Sequence, residues 1–248
     1  MNEQPKTLKV LSIDFDYFQK TTKHTIQTCY PDGIDLPTEL STIVWASYYG
    51  NPKTYEHLKN VTILDDELQL LRQILTSDKN TQETTPVMIT NSHVHIYDFI
   101  HECTNIFHAE NVNIVNIDMH HDSTNHNTEL DCGNWLSHIV KDFEHHNSIA
   151  WICNPLSPEC YDFTENEIQN LDTSLKAITD FKFDIIFLCR SDNWFPPHLD
   201  SEFHNIVQLI QSRFKHVVIE PDVEKPRNII ETINSYKECL AKLNLQTT

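Results

Sequence analysis

The sequence predicts an α/β fold: three layers, α/β/α, around a mostly parallel sheet. Three observations carry that prediction. Short runs rich in Val and Ile recur along the 248 residues, and an amphipathic stretch follows each one. The runs do not alternate apolar with polar residues, which is how strands covered on both faces read. Strand and helix signals then alternate, and that order calls for parallel strands joined by helical crossovers.

The first strand is predicted over residues 8–13. A helix over 65–75 follows, because Leu68, Leu71 and Leu75 fall on one face at helical spacing. Next come a strand over 87–90, a helix over 96–108, a strand over 112–117 and a helix over 135–146. After a strand over 149–153, Thr164 and Glu167 form a capping box for a helix reaching about Ile178. Strands over 185–189 and 216–219 are each followed by a helix, over 199–213 and 228–243. Residues 20–61 break the rhythm: they read as polar, aromatic and irregular, with one short helix near 37–48. An insertion of that length in a compact domain is usually functional or disordered. With no repeat and no composition break, residues 1–248 form a single domain with 20–61 as a substrate-binding insertion.

Composition narrows the chemistry. Acidic residues number 36 and basic ones 18, a net charge of −18. That field repels nucleic acid and anionic membrane and attracts cations. The three glycines, Gly33, Gly50 and Gly133, are too few and too scattered for a phosphate-cradling loop. The seven cysteines form no Cys-x-x-Cys. They read as reduced thiols of a cytoplasmic protein, not as a disulfide or thiolate-zinc framework. No apolar run reaches membrane-spanning length.

In open α/β sheets, sites form at the carboxyl ends of strands. The polar residues there are Asp14 and Asp16; His93 and His95; Asp118, His120 and Asp122; Ser157 and Glu159; Arg190 and Asp192; and Glu220. These positions offer metal or cation ligands. In Asn116-Ile-Asp-Met-His-His-Asp122, the residues Asp118, His120 and Asp122 alternate along an extended segment, which sets them on one side. Two carboxylates and an imidazole suit Mn²⁺ better than a thiolate-seeking metal. In Ser12-Ile-Asp-Phe-Asp-Tyr-Phe18, Asp14 and Asp16 share a strand end and repel unless a cation neutralises them. Asn91-Ser-His-Val-His95 supplies two histidines between a strand and a helix.

Together these segments resemble the arginase and ureohydrolase superfamily, which combines one His after a strand, an Asp-x-His-x-Asp and an Asp-x-Asp. The match at Asp118, His120 and Asp122 is direct, and the family's spacing favours His95 over His93. The family's Ser-Gly-Asn-x-His stretch is matched by Cys132-Gly-Asn-Trp-Leu-Ser-His138, and its Glu-x-x-Pro by Val217-Val-Ile-Glu-Pro221. The second aspartate pair is out of order. Where the family has it late in the chain, this sequence has Asp192 alone, and its clean pair lies at Asp14 and Asp16. Ile-Asp-Phe-Asp-Tyr-Phe, His-x-His and Cys-Gly-Asn-Trp are similar to a divergent branch, the peptide arginases that convert Arg to ornithine within ribosomal peptide precursors.

The resemblance implies an arginase-like fold and two Mn²⁺ ions held by Asp14, Asp16, His95, Asp118, His120 and Asp122. It implies that His138 donates a proton to the leaving amine and that Glu220 holds the guanidinium, with Asn134 and Asp192 as further substrate-binding candidates. The implied substrate is an arginine-containing precursor peptide, with ornithine and urea as products. The aromatic residues Tyr30, Trp45, Tyr48, Tyr49 and Tyr55 are expected to form its groove. The alternatives are a ureohydrolase for a free guanidino compound, a Mn-dependent phosphoesterase, and a non-catalytic peptide-binding module stabilised by metal.

Overall fold

The computed structural model describes residues 5–31, 35–78, 84–124, 128–143, 148–161, 170–234 and 237–238. Its strands are β1 (Thr7–Asp14), β2 (Gln19–Lys20), β3 (Thr62–Ile63), β4 (Pro86–Thr90), β5 (Asn111–Asp118), β6 (Ser148–Cys153), β7 (Asn170–Asp172), β8 (Ile185–Cys189) and β9 (His216–Ile219). Seven of them form one sheet in the order β7-β6-β5-β1-β8-β4-β9, and every pairing is parallel. β2 and β3 make a separate antiparallel ribbon. The helices are α1 (Lys23–Cys29), α2 (Thr38–Gly50), α3 (Pro52–Leu58), α4 (Asp65–Thr76), α5 (Ile96–Phe107), α6 (Trp135–Asp142), α7 (Ser157–Cys160) and α8 (Asp200–Arg213).

The two sheet faces bury alternate residues of the same strands, which is why no polar alternation is visible in the sequence. Leu11, Ile13, Val115, Ile117, Ile186 and Leu188 pack with α4 and α8 in one cluster. Val10, Val112, Ile114, Ile185 and Phe187 pack with α5 and α6 in the other. The three-layer α/β/α prediction is therefore met. Leu11 is fully buried in the middle of this arrangement, and truncating it to Ala should cost about 2–5 kcal/mol. At the start of α4, Asp65, Asp66 and Glu67 complement the helix dipole in place of a side-chain cap.

Several local expectations change. The segment 20–61 is not irregular: α1, α2 and α3 occupy most of it. Thr22 caps α1 and Asn51 caps α3, with Pro52 at its first position. The helix expected to end near Ile178 is replaced by β7 and a short 3-10 turn over Leu175–Ile178; its proposed capping box lies outside the described residues. The helix from Trp135 ends at Asp142, because Phe143 leaves the helical region. Of the last helix, residues 229–234 and 237–238 are helical and the remainder lies outside the described residues. Among the described residues, no helix is long and apolar enough to cross a membrane.

Candidate metal centre

β1 lies between β5 and β8, so the carboxyl ends of the central strands converge on Asp14. Asp14 ends β1 and Asp118 ends β5, while His93 follows β4 in a 3-10 turn capped by the Ser92 hydroxyl. The Nδ1 of His93 sits 3.2 Å from Asp14 Oδ2, 3.2 Å from Asp118 Oδ2 and 2.9 Å from Asp122 Oδ2. On the other side of Asp118, His120 Nδ1 lies 3.0 Å from Asp16 Oδ2 and 3.6 Å from Asp118 Oδ1. Two groups, Asp14/His93/Asp118 and Asp16/Asp118/His120, can each hold a metal ion, and Asp118 belongs to both.

The donor set fits cations. His93 Nδ1 and Asp16 Oδ2 are buried and make no hydrogen bond, although carboxylate or imidazole atoms crowd them at about 3 Å. Such atoms have lost water without gaining a partner, and a cation sharing their lone pairs would remove the penalty. The Nε2 of His93 lies 2.7 Å from Ser12 Oγ. With that nitrogen protonated and donating to Ser12, Nδ1 presents a bare lone pair to the three carboxylates. Phe187, stacked at 5.7 Å, and Trp135 at 5.1 Å hold the ring in place.

The carboxylates are positioned by backbone and side-chain donors. Met119 N–H donates to Asp16 Oδ1 at 3.1 Å, and His120 N–H to Asp118 Oδ1 at 2.7 Å. Trp135 Nε1–H donates to Asp122 Oδ2 at 2.7 Å. Asp122 itself is left-handed (φ 50°), as is Ser191 (φ 58°) nearby. For non-glycine residues this conformation costs about 1–3 kcal/mol and is retained where the surroundings demand it.

Titration behaviour reflects the crowding. Burial, and then the charges of Asp16 and Asp118, hold the Asp14 carboxyl well above the usual range. Burial and Asp118 push Asp122 up to about 6. Burial also pushes Asp118 upward, but its contacts with His120 and His93 prevail and leave it below the usual range. Burial disfavours the charged forms of both histidines, yet Asp118, Asp122 and Asp14 raise His93, and Tyr161, Asp16 and Asp118 raise His120, well above ordinary imidazole.

A cavity of about 410 Å³ opens over this centre. Asp14, His93, His120 and Asp122 line its floor, and Asp35, Tyr30, Tyr161 and Trp194 line its walls. Among the described residues, no lysine or arginine lines it. Tyr161 and Trp194 flank the His120 ring at 4.7 and 5.8 Å. Burial raises the Asp35 carboxyl, against the Ser92 hydroxyl that lowers it.

Of the residues singled out from the sequence, Asp14, Asp16, Asp118, His120 and Asp122 come together, and His95 does not. Its side chain is 41% exposed and its Nε2 faces Glu220 Oε1 at 3.6 Å. His93, two residues earlier, occupies the expected position; the 3-10 turn swings its neighbour outward. Glu220 lies with His95 along a separate, shallower pocket and is not among the residues lining the main cavity. His138 packs against Tyr97 on the α5 side, ring centres 6.2 Å apart, and does not line the cavity. Asn134 is fully buried and shapes its own loop, accepting from Asp131 N–H at 2.9 Å and donating to Glu129 O at 2.7 Å.

Asp192 is structural as well. Arg190 grips it with two nitrogens, and Thr38 donates to its Oδ2 at 2.6 Å. Its backbone carbonyl accepts from Ser41, Trp45 and Arg227. Burial pushes its carboxyl up, but Arg227 and Arg190 hold it below the usual range. The expected aromatic groove is likewise mostly a small core: Trp45 and Tyr30 pack with Cys29 and Leu58, with Tyr48 and Tyr49 against them. Among the five aromatic residues proposed for it, Tyr30 lines the cavity. Sequence reasoning missed Ser12, Trp135 and Asp35. Ser12 was recoverable, being two residues before Asp14 on the same strand face; the other two depend on loop geometry.

Comparison with family models, curated proteins and solved structures finds no match.

Proposed function

We propose that this protein is a binuclear metal-dependent hydrolase that converts arginine residues of a peptide to ornithine with release of urea, using Mn²⁺. The observation that carries this reading is Asp118, whose two oxygens face two separate Asp/His groups. In it, Asp14, His93, Asp118 and Asp122 would hold one ion and Asp16, Asp118 and His120 the other. Ions so held supply a water activated for attack near neutral pH. Hydrolysis would place the water's oxygen on the guanidinium carbon, which leaves as urea, and the side-chain nitrogen, released from that carbon, would take the proton the water gives up to become the amine of ornithine.

The rest of the cavity supports a cationic, flat substrate. Among the described residues its lining carries three carboxylates and no lysine or arginine. Tyr30, Tyr161 and Trp194 offer aromatic faces, on which a guanidinium stacks well. The net charge of −18 steers such a cation inward and repels phosphoesters. Ile26, Gln27, Tyr30, Pro31 and Asp35, all from the 20–61 segment, form one wall and offer contacts for residues flanking the arginine. The test is direct: incubate Mn²⁺-loaded protein with arginyl peptides, free arginine and a phosphodiester, and measure urea and a peptide mass loss. Urea from the peptide in preference to free arginine is expected. Phosphodiester cleavage without urea would sink the reading.

A further inference from the structure

We infer that Asp35 is the carboxylate that grips the substrate's guanidinium, the role the family resemblance assigned to Glu220; this rests on the arginine-directed reading above. Three carboxylates line the main cavity, and Asp14 and Asp122 are both engaged with His93. Asp35 is the third. Among the described residues its hydrogen-bond partner is the neutral hydroxyl of Ser92, which donates to Oδ2 in a short contact. Among the described residues, the cavity lining offers it no lysine or arginine. A half-buried carboxylate whose hydrogen-bond partner is a neutral hydroxyl is under-satisfied, and a guanidinium satisfies it with two parallel, charge-assisted hydrogen bonds.

The placement is fixed relative to the metal groups. Ser92 is the residue before His93, and its hydroxyl also caps the turn that carries His93 by accepting from Val94 N–H at 3.3 Å. Asp35 is thus tied by one hydroxyl to the turn that presents a ligand. From the other direction, Thr38, three residues after Asp35, accepts from Asn91 Nδ2 at 3.0 Å and donates to Asp192. The loop carrying Asp35 is thereby fastened at both the β4 and the β8 strand ends. Glu220, by contrast, borders a pocket it shares with His95, and Asp35, Asn91 and Ser92 stand between that pocket and the main cavity as common lining.

Binding can be measured apart from turnover. Calorimetry of the metal-free protein, which cannot turn the peptide over in this reading, with an N-acetylated arginyl peptide and with the same peptide carrying neutral citrulline, reads the grip on the positive charge alone. Asp35→Asn should weaken arginyl-peptide binding about 10–100-fold. It should leave citrulline-peptide binding, and the manganese bound on loading, within about twofold, and Asp35→Glu should recover part of the discrimination. A purely structural role would weaken both peptides alike, and that result overturns the inference, as does unchanged arginyl binding in Asp35→Asn or no arginyl binding by the wild type. If the wild type discriminates through Asp35 yet releases no urea when loaded with Mn²⁺, the hydrolase reading fails and the inference about Asp35 stands.

Discussion

Ser12 on β1 and His93 after β4 meet at 2.7 Å through Oγ and Nε2, although 81 residues separate them. The contact fixes which ring nitrogen of His93 is free. Ser12→Ala should therefore lower affinity for the ion beside His93 by about 10–100-fold, the usual scale for losing a hydrogen bond behind a metal ligand. The ion beside His120 should be bound nearly as before. A manganese titration that resolves two classes of site checks this; equal weakening of both sites would contradict it.

The two histidines of His-x-His should behave differently. His93→Ala should reduce bound manganese from two ions to one, and Asp118→Ala should remove both. His95→Ala should retain two, because His95 faces Glu220 and not the cluster. Metal analysis of the three purified variants decides. Loss of metal in His95→Ala with retention in His93→Ala would reverse the assignment.

Metal-free protein should become less stable as pH rises. Asp122 has its folded value raised to about 6 by burial and Asp118, so folding disfavours its charged form. The unfolded chain then releases that proton first, and stability falls between about pH 4, the ordinary carboxyl value, and about pH 6. His93 is raised in the folded state by its carboxylate neighbours, so its contribution is full below about pH 6.5 and is lost above it. Both shifts act in the same direction. Manganese competes with those protons, so its stabilisation should grow with pH. The gap in Tm between Mn²⁺-loaded and metal-free protein should widen from pH 5 to pH 8, and Asp122→Asn should flatten the lower half of the metal-free slope. A gap that narrows would show the cluster is not the linked site.

Arg227 should matter for stability and not for metal content. It donates to Asp200 at 2.6 and 3.0 Å and to the carbonyls of Asp192 and Phe195, all buried. Removing one partner of a buried ion pair leaves the other uncompensated, at a cost of about 3–5 kcal/mol. Arg227→Ala should lower the denaturant midpoint accordingly while bound manganese stays at two. A shift under about 1 kcal/mol would mean the pair is screened by water.

The strands and the ligand cluster were legible because their signals are local. Apolar runs ending in Asp14, Asp118 or a His-bearing turn state both the sheet and the chemistry at its edge. The choice between His93 and His95 was not legible, because a single 3-10 turn decides which side chain points inward. Asp192 misled for the opposite reason. It stands where a ligand would stand, and only Arg190 and Arg227, the latter 35 residues later, reveal that it is already neutralised. The segment 20–61 read as loose because α2 carries apolar residues on both sides, with Leu40 and Ile43 exposed and Trp45 buried.

The position of β1 in the sheet has a consequence for biosynthesis. β1 pairs with β5, beginning at Asn111, and with β8, beginning at Ile185. A nascent chain emerging at about 5–20 residues per second therefore exposes Leu-Lys-Val-Leu-Ser-Ile for roughly 5–20 seconds before its nearer partner exists, and for longer before the second. Over that interval both edges of an apolar strand are open to pairing with other chains. The four carboxylates and two histidines of the cluster come together only once β8 has joined β4 to β1, so the cluster is incomplete until about Cys189 has been made.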